Sequence, residues 1–124
     1  MVYANNYRGG FQVKIALSSK GKNLGSQMDL RFGRAEYFMI YDLNSDEFKV
    51  IENKGYVSSG GAGIASAQQL IDQGADIIVS GNFGPNAYEL LEDSGIKMYR
   101  GSEISLKELI EKYKLEQLEK VTEA

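Results

Sequence analysis

The chain has 124 residues, with 14 Lys and Arg against 17 Asp and Glu, and it contains neither His nor Cys. This length is typical of one domain, and the net charge of -3 gives no electrostatic footprint for nucleic acid. The lack of His and Cys excludes the usual protein ligands of zinc and iron–sulfur clusters, cysteine nucleophiles and Ser-His-Asp triads. No apolar run could span a bilayer and the first residues are too polar for a signal peptide, so we expect a cytoplasmic protein without membrane contact.

Composition along the chain predicts three segments. Residues 1–12 show no hydrophobic period and carry Gly9-Gly10, which predicts a flexible N-terminal extension. Residues 13–113 are predicted to form a single α/β domain. Residues 114–124 form a charged C-terminal tail that is expected to fray.

The first half of the domain is predicted to be rich in strands. Alternation and β-branching predict a strand over residues 13–17, and the polar, glycine-punctuated residues 18–28 predict a long loop. Two apolar runs, residues 37–43 and 48–52, flank a polar turn. This pattern predicts a β-hairpin.

The second half is predicted to alternate helices and strands. Apolar residues at helical spacing predict a helix over residues 62–73, which Gly74 would end. A buried strand over residues 77–80 and a helix over residues 85–93 follow, and then a last strand over residues 96–99. The order indicates parallel strands joined by right-handed crossovers.

The last predicted helix begins at a capping box, in which Ser105 and Glu108 would satisfy each other's backbone N–H groups. Its apolar stripe consists of Leu106, Leu109, Ile110 and Tyr113. The whole pattern predicts an α/β sandwich with a mixed five-stranded sheet.

A ligand site is suggested where the buried strand of residues 77–80 passes into the following helix. Gly81 and Gly84 permit positive φ or close backbone approach, and Pro85 suits the first helical position. The free N–H groups at Asn86 and beyond would form a cradle for an anion or polar ligand at the carboxyl end of the strand. A plain turn without a ligand explains these residues equally well.

A second glycine-rich segment starts the helix of residues 62–73. Gly61 and Gly63 lie in a near match to the dinucleotide pattern G-x-G-x-x-G/A. Because a loop separates this segment from the preceding strand, and no acid for a ribose ends the next one, close packing or backbone contact is favoured over nucleotide binding.

Two arginines, Arg31 and Arg34, flank a predicted bend before the second strand. Together they could clamp a phosphate or carboxylate. Pairing with surface acids is an equally good interpretation.

Carboxylates for a two-metal nuclease are disfavoured. The candidates are Asp29, Glu36, Asp42 and Asp76. Asp42 lies near the end of the second strand and Asp76 opens the fourth, so a shared site is expected to require opposite ends of the sheet to meet. Solvated strand ends explain these acids.

Three blocks in fixed order resemble one family: R-F-G-R-A-E-Y-F-M-I-Y-D (residues 31–42), G-G-A-G-I-A-S-A (60–67) and I-V-S-G-N-F-G-P-N-A (78–87). This is the dinitrogenase iron-molybdenum cofactor biosynthesis family. The resemblance covers about residues 13–113 and implies a three-layer α/β/α sandwich with a ribonuclease H-like motif and no nuclease activity. It further implies a role in binding or carrying an iron–molybdenum or iron–sulfur cofactor precursor. The family often has histidines where this chain has Arg31 and Gly60.

The favoured hypothesis is therefore a non-enzymatic binding protein for a metallocluster precursor or another small anionic ligand. The cofactor would not be ligated by Cys or His, and neither a catalytic nor a metal-ligating residue is assigned. The predicted binding residues are Arg31, Arg34, Gly61, Gly63, Gly81, Asn82, Gly84 and Asn86. The alternative is a regulatory or protein-interaction module that uses a sheet edge or a helix face to bind a protein partner.

Overall fold

A computed structural model describes residues 12–124. The extension predicted for residues 1–12 therefore lies outside the described residues, apart from Gln12. Within the described part, the strands are β1 (Lys14–Ser19), β2 (Tyr37–Asp42), β3 (Phe48–Glu52), β4 (Ile77–Ser80), β5 (Lys97–Arg100) and β6 (Glu119–Lys120). The helices are α1 (Ala62–Asp72), α2 (Pro85–Asp93) and α3 (Leu106–Lys114), with short 3-10 helices at Phe32–Arg34 and Lys54–Val57.

The strands form one mixed sheet in the order β3-β2-β1-β4-β5-β6. The predicted hairpin is confirmed, because β2 pairs antiparallel with β3 and also with β1. Strand β4 pairs parallel with both β1 and β5, as the right-handed crossovers predict.

The prediction of five strands is wrong by one. Glu119–Lys120 pairs antiparallel with β5, and Val121 is buried with its N–H donating to the Met98 carbonyl at 2.8 Å. From Glu119 to Val121 the tail is thus docked rather than frayed. A two-residue edge strand buries no face of its own, so it leaves no hydrophobic period in the sequence.

The helices lie on both faces of the sheet and complete the predicted three-layer α/β/α sandwich. Alternate residues of β1 divide between two cores, with Ala16 in one and Ile15 and Leu17 in the other. Helices α1 and α2 cover the first core through Leu70 and Leu91. Helix α3 covers the second through buried residues of its predicted stripe, Leu106, Leu109 and Ile110. None of the helices within residues 12–124 is long and apolar enough to cross a membrane.

The helices α1, α2 and α3 all begin at the same end of the sheet, where strands β3, β4 and β5 have their carboxyl ends. Strands β1, β4 and β5 are parallel, and β3 runs in the same direction because both β1 and β3 are antiparallel to β2. Each helix follows the carboxyl end of β3, β4 or β5, so its N-terminus lies at that end. The carboxyl edge of such a sheet is where α/β proteins bind ligands.

Candidate functional site

The bend after residue 30 lies beside the loop that follows β4. Arg31 and Asn82 form a parallel bridge, in which the Asn82 N–H donates to the Leu30 carbonyl at 2.8 Å. The rings of Phe32 and Phe83 pack beneath this bridge with their centroids 5.1 Å apart. The predicted binding residues Arg31 and Asn82 are therefore neighbours.

The same bend also contacts the start of α1, and α1 contacts α2. A Cβ added at Gly33 would lie 2.9 Å from the backbone nitrogen of Gly63, and one added at Gly63 would lie 3.2 Å from the Cβ of Ala87. The first turns of α1 and α2 are consequently in contact. The three blocks that sequence analysis singled out meet at this point, and we call the region formed by Arg31, residues 60–63 and residues 82–86 the cradle.

The helix starts in the cradle are open. The N-cap residues are Gly61, with φ 66°, and Gly84, with φ -68°, and neither has a side chain to cap the helix. A Cβ at Gly60, Gly61 or Gly84 would meet no atom within 4 Å. Because the N–H groups of a first helical turn have no acceptor inside their own helix, both starts can present donors to a ligand.

Helix α3 begins differently, although it starts at the same edge of the sheet. Its N-cap residue Ser105 accepts a hydrogen bond from the Glu108 N–H at 3.2 Å. The next two N–H groups, at Leu106 and Lys107, donate to carbonyls of Ser26 and Leu24 at 2.9 and 3.0 Å. The first donors of α3 are therefore already satisfied by the protein.

Arg31 places a positive charge at the cradle through a pair with Asp29. Its Nε and Nη2 donate to the two carboxylate oxygens of Asp29 at 3.1 and 2.9 Å. The Arg31 side chain is 65% exposed, whereas that of Asp29 is only 5% exposed. Burial raises the pKa of Asp29, but the hydrogen bonds and charge of Arg31 outweigh burial, so the pKa of Asp29 is lower than its ordinary value. The alternative that the arginine pairs with an acid thus holds for Arg31, yet its partner is buried.

Arg34 has a different set of partners. Its Nη1 donates to the carbonyls of Gly55 and Ser58 at 3.0 and 2.5 Å. The guanidinium therefore fastens the loop that leads to Gly60. Arg34 could therefore affect ligand binding only indirectly, by holding this loop in place.

Gly81 is buried and is required by packing. A Cβ at this position would lie 2.7 Å from the carbonyl oxygen of Leu30. Its own carbonyl accepts a hydrogen bond from Nη1 of Arg100. In contrast, Asn82 and Asn86 are exposed at the cradle.

A buried residue that sequence analysis missed, Asn53, joins the elements around the cradle. Its Nδ2 donates to the carbonyls of Phe32 and Ala35 at 3.3 and 2.7 Å. Its Oδ1 accepts from the Gly55 N–H at 2.9 Å and from the Ser66 hydroxyl at 2.6 Å. A single amide thus ties the bend, the loop after β3 and helix α1 together. A buried Asn in a polar loop has no periodic signal, so only its contacts reveal it.

The four acids considered for a nuclease form no common site. Within residues 12–124 there is no group of three or more Asp or Glu side chains that could hold a metal ion. The expectation that Asp42 and Asp76 lie at opposite ends of the sheet is wrong. Asp42 is the register partner of Lys14, and Asp76 accepts the Lys14 N–H at 2.9 Å, because β2 is antiparallel and ends where β4 begins. Asp29 lies at the opposite end of β1, beside Ser18, so it cannot join Asp42 and Asp76 in one metal site.

Comparison with known proteins decides the family. A match to the family described as "Dinitrogenase iron-molybdenum cofactor" spans residues 12–116. The chain belongs to this family. The resemblance inferred from the three sequence blocks is thereby confirmed.

This family member is similar in sequence to a curated relative and similar in fold to solved structures. An uncharacterized protein of Methanocaldococcus jannaschii is 33% identical over 111 residues, covering 87% of this chain and 91% of the relative. The apo form of the orange protein from Desulfovibrio gigas superposes with a TM-score of 0.86 at 28% identity, covering 93% of this chain and 98% of the other. An NMR structure of a Thermotoga protein, provisionally described as a NifB protein, gives a TM-score of 0.79 at 35% identity, covering 90% and 96% of the two chains.

Proposed function

We propose that this family member is a non-enzymatic binding protein that holds a small anionic ligand in the cradle. The ligand class that its family suggests is an iron–molybdenum or iron–sulfur cofactor precursor, which would be cargo rather than a resident cofactor. The orange protein has been described in an apo form, and such a description fits a protein that takes up and releases a ligand.

The observation that carries the proposal is the contrast between capped and open helix starts. Helix α3 is capped by protein groups, whereas α1 and α2 begin at glycines whose surroundings are empty. Gly84 is the most telling, because its φ of -68° suits any residue and a side chain there would meet no atom. The fold does not need glycine at this N-cap, where Ser, Asp or Asn would stabilise the helix. A ligand that approaches the backbone does need it.

The chemistry of the donors limits what the ligand can be. The chain has no Cys or His, so it cannot supply thiolate or imidazole to a metal. The cradle instead offers backbone N–H groups and the guanidinium of Arg31, which bind anions. A bound metallocluster would therefore have to bring its own sulfur or oxygen ligands and be recognised through its negative charge.

Anaerobic titration with tetrathiomolybdate, a molybdenum–sulfur dianion, tests the proposal. We expect saturable heat and amide shifts confined to the cradle, with Gly61 and Gly84 among the largest. The Arg31→Gln variant should bind roughly tenfold more weakly, because it loses a charge-assisted donor. Lys97→Gln removes the same charge at the amino end of β5 and should bind like the wild type.

Sulfate serves as a second ligand in the same experiment, since it is a tetrahedral dianion without molybdenum. Selective binding of tetrathiomolybdate supports the cofactor class, and equal binding of both supports a general anion site. Flat calorimetry together with unchanged amide shifts for both ions would end the proposal.

A protein-interaction module remains a second candidate because of one exposed feature. The side chains of Tyr56 and Val57 on the 3-10 helix after β3 are 48% and 83% exposed. Exposed apolar groups of this kind favour contact with a partner. If this is their role, Val57→Asp should abolish capture of a partner from native extract while leaving anion binding intact.

A further inference from the structure

A buried chain of hydrogen bonds leads from the centre of the sheet to the cradle. The hydroxyls of Ser18 on β1 and Ser80 on β4 are both fully buried and lie 2.6 Å apart. Ser18 donates its proton to the carbonyl of Asp29 at 2.6 Å, so the proton between the two serines comes from Ser80. The N–H of Asp29 in turn donates to the carbonyl of Ser18 at 3.1 Å. The backbone of Asp29 is thus fixed on both sides.

The carboxylate of Asp29 accepts three hydrogen bonds, all of them from Arg31. The donors are the backbone N–H of Arg31, at 2.9 Å, and its Nε and Nη2. Because the carboxylate takes the Nε side of the guanidinium, Nη1 is turned away from Asp29. The exposed edge of the Arg31 guanidinium is therefore held in one orientation, and the backbone of Arg31 is bridged to that of Asn82.

We propose that Asp29 is a positioning residue, which holds the Arg31 guanidinium so that its outer edge faces an anionic ligand in the cradle. This inference rests on the proposed function. It adds a residue that touches no ligand itself and acts only through Arg31, with Ser18 supporting it from beneath.

Charge alone argues against finding a carboxylate at this place. An acid near an anion site lowers the affinity for the anion, and burying it adds a desolvation cost. A long arginine side chain at the surface, however, samples many rotamers when it is unpaired. Two bonds to a buried carboxylate remove that freedom before the ligand arrives, which is the usual benefit of preorganisation.

The two effects have opposite signs, so Asp29→Asn separates them. The amide keeps an oxygen that can accept the Arg31 backbone N–H, which preserves the local turn, but it loses the charge that holds the guanidinium. If Asp29 acted through charge alone, the variant would bind tetrathiomolybdate more tightly than the wild type. We expect it to bind roughly tenfold more weakly.

Asp76→Asn is the matched control. Asp76 also accepts a backbone N–H, that of Lys14, but it lies at the opposite edge of the sheet. Neutralising Asp76 changes the net charge by the same amount as neutralising Asp29. The Asp76→Asn variant should bind tetrathiomolybdate with the affinity of the wild type.

A double-mutant cycle with Arg31→Gln checks that the effect passes through Arg31. In the Arg31→Gln background, Asp29→Asn should no longer weaken binding, since there is no guanidinium to orient. Arg31→Lys gives an independent test if Asp29→Asn fails to fold. It keeps the positive charge without the two-bond fit and should also bind roughly tenfold more weakly.

The outcomes distinguish this inference from the proposed function. If the wild type binds no tetrathiomolybdate, the proposed function fails and this inference fails with it. If the wild type binds, but Asp29→Asn or Arg31→Lys binds as tightly or more tightly, only the positioning role is overturned.

Discussion

Helix α3 and the pair α1 and α2 start at the same edge of one sheet, yet their first turns are built in opposite ways. The start of α3 is closed by a serine N-cap and by two carbonyls of the loop that follows β1. The starts of α1 and α2 are open, with glycine at both N-caps. Since the same topology permits both arrangements, the fold does not dictate the open one. The contrast shows that the first turns of α1 and α2 lack the side-chain cap that α3 has.

The glycines around the cradle divide in the same way. Gly33, Gly55 and Gly81 are closed, because an added Cβ at each would lie under 3.0 Å from another atom. Gly60 and Gly84 are open and have ordinary φ. The closed glycines allow the bend, the loop after β3 and the loop after β4 to pack closely against their neighbours. The open glycines leave the adjacent backbone accessible.

Substitution of a closed glycine should have the strongest effect on stability. In Gly55→Ala the new Cβ would crowd the Gly33 carbonyl and the Ser66 hydroxyl, so we expect the free energy of unfolding to fall by about 3 kcal/mol. Gly60→Ala, at an open position, should change it by less than about 0.5 kcal/mol. Urea denaturation of both variants measures the contrast, and equal losses would remove the distinction between closed and open glycines.

The next effect is at the closed helix start. Ser105→Ala removes the side-chain acceptor of the Glu108 N–H and should lower the free energy of unfolding by about 1 kcal/mol. Ser102→Ala changes an exposed serine just before the helix and should be neutral. If the two variants have the same midpoint of denaturation, the cap of α3 is not a stabilising one.

A smaller effect, of opposite sign, is expected at the open helix start. Gly84→Ser adds an N-cap side chain in empty space and should raise the free energy of unfolding by a few tenths of a kcal/mol. The same hydroxyl would occupy donors meant for the ligand, so the affinity for tetrathiomolybdate should fall. A variant that is both stabilised and fully able to bind would contradict the proposed use of this start.

The last effect concerns the far end of α3, which is also held by the protein, and it is seen only at alkaline pH. The Tyr41 hydroxyl donates to Asp46 at 2.7 Å, and Lys114 of α3 lies 3.6 Å from the same carboxylate. The hydrogen bond to Asp46, together with burial, raises the pKa of Tyr41 to about 12. In an alkaline absorbance titration, Asp46→Asn should bring this pKa back toward 10.0.

The same pKa shift has a consequence for stability. Because the folded state holds the Tyr41 proton more tightly than the unfolded chain does, its contribution is complete below pH 10.0 and is lost as the pH rises through about 12. In Asp46→Asn this alkaline loss should be smaller. An unchanged dependence of stability on pH in that range would show that the bond does not hold this turn in solution.

Much of the fold was predictable because its elements carry periodic signals. The bounds predicted for β3, β4 and α2 agree with the structure, since each has apolar residues at the right spacing between turn residues or a proline start. Gly74 ends α1 with φ 76°, as its position predicted. Strand β6 is short and charged, so it leaves no periodic signal, and Asp42 lies near Asp76 because the antiparallel β2 ends where β4 begins, which local sequence patterns do not show.

The candidate site was predictable only as a set of segments. Glycines, a proline and arginines mark chain positions that are unusual, but they do not show whether a glycine is closed or open. Gly81 and Gly84 look alike in the sequence, yet one packs against Leu30 and the other faces empty space. Likewise, Arg31 and Arg34 look equivalent, although one pairs with Asp29 and the other holds backbone carbonyls.

The amino-acid sequence alone specifies the available side-chain ligands and the arrangement in layers. A chain without Cys or His cannot offer thiolate or imidazole ligands, and hydrophobic periods decide which residues form helices and strands. Which backbone donors are capped by other protein groups depends on the tertiary fold. Hydrogen bonds here are satisfied by groups distant in the chain, as at Ser26 for the Leu106 N–H or Gly55 for Arg34, and the folding of the sheet is what brings those groups within reach.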